Sequence, residues 1–493
     1  MKKEPLFELI KKMKQTEKAY FKKTATAYRK NSKNNFLHLF ELIDKQRTYN
    51  ETKLKEIIGS KHFAQKKQHL TKKIITSLKN YYSKDSIKTQ IEALLHENRI
   101  YLSKSMLDSA EKSIEKAKKL TLESENYQLY LYVLKNEIEI LKNKNDLEMI
   151  GLLLKDYKEI EEKVNKIVSE HIQLEELLIS VVLWNNEMEY IRGEDQLLKL
   201  NAIFEQNKKT SNSKRSNNIY FYTSGIYHYL KSEHEESLHF FQKQLKLFHE
   251  TNWLKEEMLD YIKCLANNCL LAIILNNTTY QSCYNELKEI QTEDLFLKMI
   301  LNYYQHLLAI KHLSTQSKHE NALEYIKLHE NDIQNIEEQI AQKKILQNEL
   351  MIMTFTKAET YIFNNEPKKA INTINTYLNF HDKKLKTDTY ILSRLINIII
   401  HFELQNLAYI EYEIESIKKW MKNKKIDFKF ERTFLSYFEN VIYINDKKEL
   451  IYLSQNLLKD IELLKKVPFE KAALYVFSFE NWIKKKMLDL MKN

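Results

Sequence analysis

The sequence predicts an all-α chain, an α-solenoid of stacked antiparallel helix pairs preceded by a basic helical module. Three observations carry that expectation: helix breakers are almost absent, apolar residues recur at helical spacing throughout, and helix pairs repeat in the second half. The 493 residues include Gly 4 and Pro 3, against usual shares of about 7% and 5%. Glycine loses most entropy in a helix and proline removes a backbone donor, so a chain nearly free of both can run helix after helix. The same scarcity excludes phosphate loops, dinucleotide turns and nucleophile elbows, which need glycine where backbone approaches substrate.

With 43% hydrophobic, 11% aromatic and 29% charged residues, the chain has apolar surface for a packed core and lacks a disordered composition. Stacked repeats let one elongated body reach this length, because each unit buries its face on its neighbours. The first residues are basic but hold no continuous apolar segment of the kind a signal peptide needs. The longest apolar runs, residues 177–184 and 269–275, fall far short of the roughly 18 to 20 residues that span a bilayer. A soluble, cytoplasmic protein without a membrane partner is expected. Cys264, Cys269 and Cys283 are odd in number and form no disulfide framework, which fits buried thiols in a reducing cytosol. Abundant Lys, Asn, Ile and Tyr suggest an AT-rich bacterial genome.

Residues 1–90 hold 23 Lys/Arg against 8 Asp/Glu, a balance of +15, while residues 91–493 hold 55 against 59, a balance of −4. That asymmetry marks a separate module. It opens with an amphipathic helix over residues 5–30, with Leu6, Ile10, Met13, Tyr20 and Phe21 among lysines, and Pro5 suits its first turn. Residues 31–34 break the pattern. A short helix follows around Phe36, Leu39, Phe40 and Ile43, then another from an Asn50 cap with Leu54, Ile57 and Ile58 on its buried side, stopped by Gly59. The next helix, residues 62–82, places Phe63, Leu70, Ile74, Leu78 and Tyr81 on one stripe and Lys66, Lys67, Lys72, Lys73 and Lys79 mostly away from it. Short helix, glycine turn and basic helix invite comparison with a helix-turn-helix, which departs from the usual pattern at Lys55, Gln65 and Gln68. Nucleic-acid binding through the five lysines stands beside a plain solvated face.

Residues 91–206 form a first helical arm, with helical patterning over 91–120, 127–167 and 172–204. The polar, low-complexity stretch 207–218 is expected to be a mobile connection. Residues 219–465 then repeat in helical pairs, with units starting near Ser216, Leu254, Thr292, Leu346, Lys386 and Lys429 at intervals of 38, 38, 54, 40 and 43 residues. Residues 466–493 close the chain as a capping helix, Leu474, Phe477, Trp482 and Met487 facing in and Lys484, Lys485 and Lys486 exposed.

Two segments carry a family resemblance. Phe221 and Gly225 occupy the aromatic and small positions of a first helix, and Ser237 and Phe241 the small and aromatic positions of a second. Ala358, Tyr361, Ala370 and Ile374 recur at corresponding spacings, with Asn364, Asn365 and Pro367 between the helices. Here the chain resembles tetratricopeptide-repeat (TPR) proteins, with repeats longer than the roughly 34 residues of the ideal unit. The small residues let antiparallel helices approach and the large ones fill the adjoining gaps. The resemblance implies a protein-binding groove.

No enzyme is expected. His234 and His239 are five residues apart, so they do not share a helix face as a zinc-protease pair must. Glu236 and His239 make the only Glu-x-x-His pair, where a di-iron bundle needs two. Cys264, Cys269, Cys283 and His249 match no zinc spacing. No cofactor or metal is expected. The sequence therefore points to a non-enzymatic scaffold or adaptor that takes a peptide or protein segment in its groove. The alternative is a nucleic-acid-binding regulator whose helix-turn-helix-like module is joined to sensing or dimerising repeats.

Overall fold

Several helices begin where a side chain replaces the missing amide acceptors. Asn50, Ser86, Asn126, Ser213, Asp294 and Asp446 each accept a backbone N–H of the first turn that follows, at 2.8–3.3 Å. Many helix ends turn at a left-handed residue that is not glycine: Ser105, Glu125, Ser232, Asn276, Ser317, Asn365 and Gln405 have φ between 51° and 60°. Beyond each, an amide reaches back to a carbonyl five residues earlier, as from Asn277 to Ala272 at 2.7 Å and from Glu366 to Tyr361 at 2.8 Å. These bonds close the helix end in the Schellman manner.

The computed structural model describes residues 4–27, 35–83, 86–187, 190–207, 213–251, 256–343, 346–381, 386–444, 446–467 and 469–492. Among them the secondary structure is entirely helical. The chain divides into two units, residues 1–164 and 165–493.

The first unit contains α1 (Pro5–Lys12), α2 (Gln15–Ala27), α3 (Asn35–Lys45), α4 (Glu51–Ile58), α5 (Phe63–Tyr81), α6 (Ile87–Ser103), α7 (Leu107–Glu123), α8 (Tyr127–Lys144) and the start of α9 (Leu147–Glu187). Its first five helices close over Ile10, Phe21, Leu39, Phe40, Ile43, Leu54, Phe63, Leu70 and Ile74. A second core joins α6, α7 and α8 through Ile91, Ala110, Ile114, Ala117, Val133 and Ile140.

Several sequence expectations change here. The single helix expected over residues 5–30 is two, because Met13 is extended and the Lys14 N–H donates to the Glu17 carboxylate at 2.6 Å, starting a new helix. Arg29, Lys30 and residues 31–34 lie outside the described residues. Ile57, expected on the buried side of α4, is 50% exposed. The break expected near residue 170 is absent, since α9 runs unbroken for 41 residues.

The second unit continues with α10 (Glu194–Asn207), α11 (Lys214–Leu230), α12 (His234–His249), α13 (Met258–Ile274), α14 (Thr279–Glu289), α15 (Leu295–Thr315), α16 (His319–Leu328), α17 (Glu330–Lys343), α18 (Gln347–Phe363), α19 (Pro367–His381), α20 (Thr387–Glu403), α21 (Leu407–Lys424), α22 (Lys429–Val441), α23 (Lys447–Leu464) and α24 (Phe479–Lys492). Residues 208–212 of the polar stretch lie outside the described residues, and Lys214 onward is already helix, capped by Ser213. Pairs pack on themselves, α11 with α12, α13 with α14, α18 with α19, α20 with α21 and α22 with α23. Their first helices also pack in succession, α13 on α15, α15 on α18, α18 on α20 and α20 on α22. The 54-residue interval is explained by α17, an extra helix between α16 and α18.

The C-terminal segment does more than cap the last pair. A 3₁₀ turn, Lys471–Tyr475, precedes α24, and the fully buried Trp482 donates to Glu403 of α20 at 2.7 Å. Lys485 and Lys486, expected to be exposed, are half-buried: Lys485 donates to the Phe363 carbonyl at 2.8 Å and Lys486 to Glu403 at 2.5 Å.

Candidate functional site

The first helices of successive pairs meet at a cavity of about 130 Å³ in the second unit. Tyr222, Ile226 and Tyr229 reach it from α11 at the i, i+4, i+7 spacing that puts residues on one helix face. Asn267, Leu270, Leu271 and Ile274 do the same from α13, Lys311 comes from α15, and Glu349, Met351, Ile352 and Phe355 from α18. Asn185 of α9, Tyr190, Phe241 of α12, and Tyr475 with Val476 of the C-terminal segment complete the wall.

Several polar groups in this cavity have no partner among the described residues. The Oδ1 of Asn185 is buried without a hydrogen bond. The Tyr222 and Tyr475 hydroxyls, the Asn267 amide and the Lys311 ammonium likewise engage no described side chain or backbone group. Glu349 is half-satisfied, one oxygen accepting the Tyr304 hydroxyl at 2.8 Å, and no ion pair joins it to Lys311. At the edge the Tyr190 and Tyr229 hydroxyls bond each other at 2.9 Å. Burial, and next the Glu349 carboxylate, push the Tyr222 phenol well above its usual range, so it stays a neutral donor. His234 lies behind Tyr475, ring centroids 4.3 Å apart. Burial, helped by nearby Lys471, lowers it to about 4.

A wider groove of about 530 Å³ runs between α17 and α19. Its cations are already matched within the fold, Lys357 with Glu337 at 2.9 Å and Lys369 with Glu366 at 2.7 Å. Among its described lining residues it therefore offers a ligand no cation without an anion of its own, whereas the smaller cavity does in Lys311.

The residues that carry the TPR resemblance are packing residues. A methyl placed on Gly225 would come within 2.6 Å of the Phe241 ring, and the Ser237 hydroxyl donates to the Gly225 carbonyl at 2.7 Å. Phe221 is half-buried beside Phe240, whereas Ala358, Tyr361, Ala370 and Ile374 are buried. Of these only Phe241 touches the cavity.

The five lysines of α5 separate into two groups. Lys67 is half-buried and fixed to Glu51 at 2.8 Å and Glu4 at 3.2 Å, with the Tyr49 hydroxyl at 3.4 Å; those hydrogen bonds outweigh burial and raise its pKa. Lys66 donates to the Ile58 carbonyl at the end of α4 at 3.1 Å. Both therefore belong to the fold, a correction to the sequence expectation that counted them on the outer face. Lys72, Lys73 and Lys79 are exposed.

Cys264, Cys269 and Cys283 are buried free thiols, which burial pushes above their usual range. Among the described residues no group of His, Cys, Asp and Glu could hold a metal ion, and no helix is long and apolar enough to cross a membrane. Tyr222, Asn267, Lys311 and Glu349 were not distinguished by sequence analysis. Their one signal is a polar residue bordering the apolar stripe of a pair's first helix. No protein-family model, no curated protein and no solved structure matches the chain.

Proposed function

We propose that the second unit is a TPR-like α-solenoid and a non-enzymatic recognition scaffold, which binds a peptide or protein segment by taking one residue into the Tyr222–Lys311–Glu349 cavity. The carrying observation is that Asn185, Tyr222, Asn267, Lys311 and Tyr475 bring to one apolar-floored cavity polar groups that have no hydrogen-bond partner among the described residues. Buried polar groups cost stability unless something pairs with them, and a peptide supplies both backbone polarity and an apolar side chain. The succession of first helices, each packed on the next, supports the solenoid reading. An arrayed library of short peptides probed with the full chain tests this. Binders should appear and should be lost with Ile352→Trp, which fills the cavity from its wall. Binding unchanged by that substitution would refute the site.

A second reading concerns the first unit and rests on one observation: α5 contains no carboxylate and exposes Gln65, Gln68, Lys72, Lys73, Thr76 and Lys79. Such a helix suits the major groove of DNA, with lysines on phosphates and glutamines toward base edges. In this reading the chain is a regulator and the repeats sense its ligand. Binding to duplex DNA should weaken steeply with salt and vanish in Lys72→Glu/Lys73→Glu/Lys79→Glu. Failure to bind DNA at low salt would remove this reading.

A further inference from the structure

Resting on the peptide-binding reading of the second unit, we infer that the cavity recognises a C-terminal apolar residue by its free α-carboxylate. Among the described residues Lys311 is the cavity's one cation and has no anion paired with it, so the partner it lacks is an anion. Glu349 stands in the same wall, with one oxygen already taken by Tyr304. A second negative charge on the ligand would meet it, which favours a monoanionic carboxylate over a dianionic phosphate.

The remaining groups fit the same chemistry. Two further donors, the Tyr222 hydroxyl and the Asn267 amide, line the cavity with Lys311, and a carboxylate has acceptor positions for all three. The Asn185 Oδ1, buried and unpaired, can accept the amide N–H of the last peptide bond. Ile226, Leu271, Ile274 and Ile352 supply the apolar floor. Its volume of about 130 Å³ is close to the roughly 150 Å³ of a cavity that holds benzene, so one Leu-sized side chain fits.

Calorimetry on the full chain tests this with three probes: the acetylated tripeptide Ala-Ala-Leu as free acid, the same peptide as C-terminal amide, and free leucine. The acid should bind, and the amide should bind at least about tenfold more weakly, the loss expected when a charge-assisted hydrogen bond is removed. Lys311→Met, with a thermal melt matching the unaltered protein, should abolish the difference between acid and amide. If acid and amide bind alike, the carboxylate inference falls and peptide binding stands. If free leucine binds as tightly as the tripeptide acid, carboxylate recognition stands and the peptide reading falls. Binding by none of the three overturns the inference, and the peptide library then decides the broader reading alone.

Discussion

The Arg192 guanidinium meets the Glu431 carboxylate at 2.7 Å, 239 positions apart in sequence, with both side chains almost wholly out of water. Arg192 also lies over the Phe428 ring at 4.1 Å and reaches Glu470 at 3.4 Å. Glu470 in turn accepts the N–H groups of Lys429 and Phe430 at the start of α22, at 3.1 and 2.9 Å. One cation thus ties the segment before α10 to α22 and to the C-terminal turn.

Removing that cation leaves buried carboxylates unpaired. Arg192→Met should lower the stability of the second unit by about 3–5 kcal/mol, the usual cost of breaking a buried pair from one side. Arg192→Met/Glu431→Leu should recover part of the loss, because an apolar pair carries no uncompensated charge. Denaturant titration of the single and double variants measures both. A single variant as stable as the unaltered protein would show that water already solvates the pair.

Gly225 is held to glycine by contact, since the Phe241 ring occupies the space a side chain would need. Gly225→Ala should cost about 1–3 kcal/mol through overpacking between α11 and α12. Phe241→Leu should reverse much of that cost when combined with it. Ser237→Ala removes the hydroxyl bond to the Gly225 carbonyl and should cost about 1 kcal/mol. Thermal melts of the series read out all three.

The inter-helix turns carry strain that glycine would relieve. Glu125 and Gln405 sit at φ 51° and 60° with full side chains, a conformation that costs an L-residue roughly 1–2 kcal/mol. Glu125→Gly and Gln405→Gly should therefore stabilise their units, each by up to about 1 kcal/mol after the entropy glycine loses on folding. An increase in urea midpoint with unchanged slope is the expected result.

These turns also show what the sequence could and could not convey. Scarcity of glycine and proline made the helices legible, and the expected unit starts at Ser216, Thr292, Leu346, Lys386 and Lys429 fall within three residues of helix starts. Hairpin ends were less visible, because Ser, Asn, Glu or Gln takes the left-handed position where glycine would have announced it. The unbroken α9 was missed because local periodicity fades while the helix continues. The cavity was illegible for a different reason: Tyr222, Asn267, Lys311 and Glu349 come from four helices, and only packing unites them. Lys67 was misplaced because its helical position suggests solvent, while Glu4 and Glu51 arrive from two other segments to pair with it.

His234 gives the second unit a signed dependence on pH. It begins α12 with its ring against Tyr475 and near Tyr229 and Tyr190, its Nε2 unpaired and Lys471 close by. The folded pKa of about 4 lies below the ordinary 6.5 because burial, then Lys471, disfavours the imidazolium. The unfolded chain therefore binds the extra proton first. The stability held by neutral His234 is complete above pH 6.5 and drains as pH falls toward 4, by roughly 3 kcal/mol in all. His306, His312, His319 and His401 are lowered by burial and act in the same direction. Glu257 and Glu431, raised by burial, act in the opposite one. Comparison with His234→Phe, which keeps the ring and loses the titration, isolates the one group. The stability difference between the two proteins should change steadily from pH 7 to pH 4, with the unaltered protein losing ground. Parallel stability curves across that window would show that His234 takes up its proton as readily folded as unfolded.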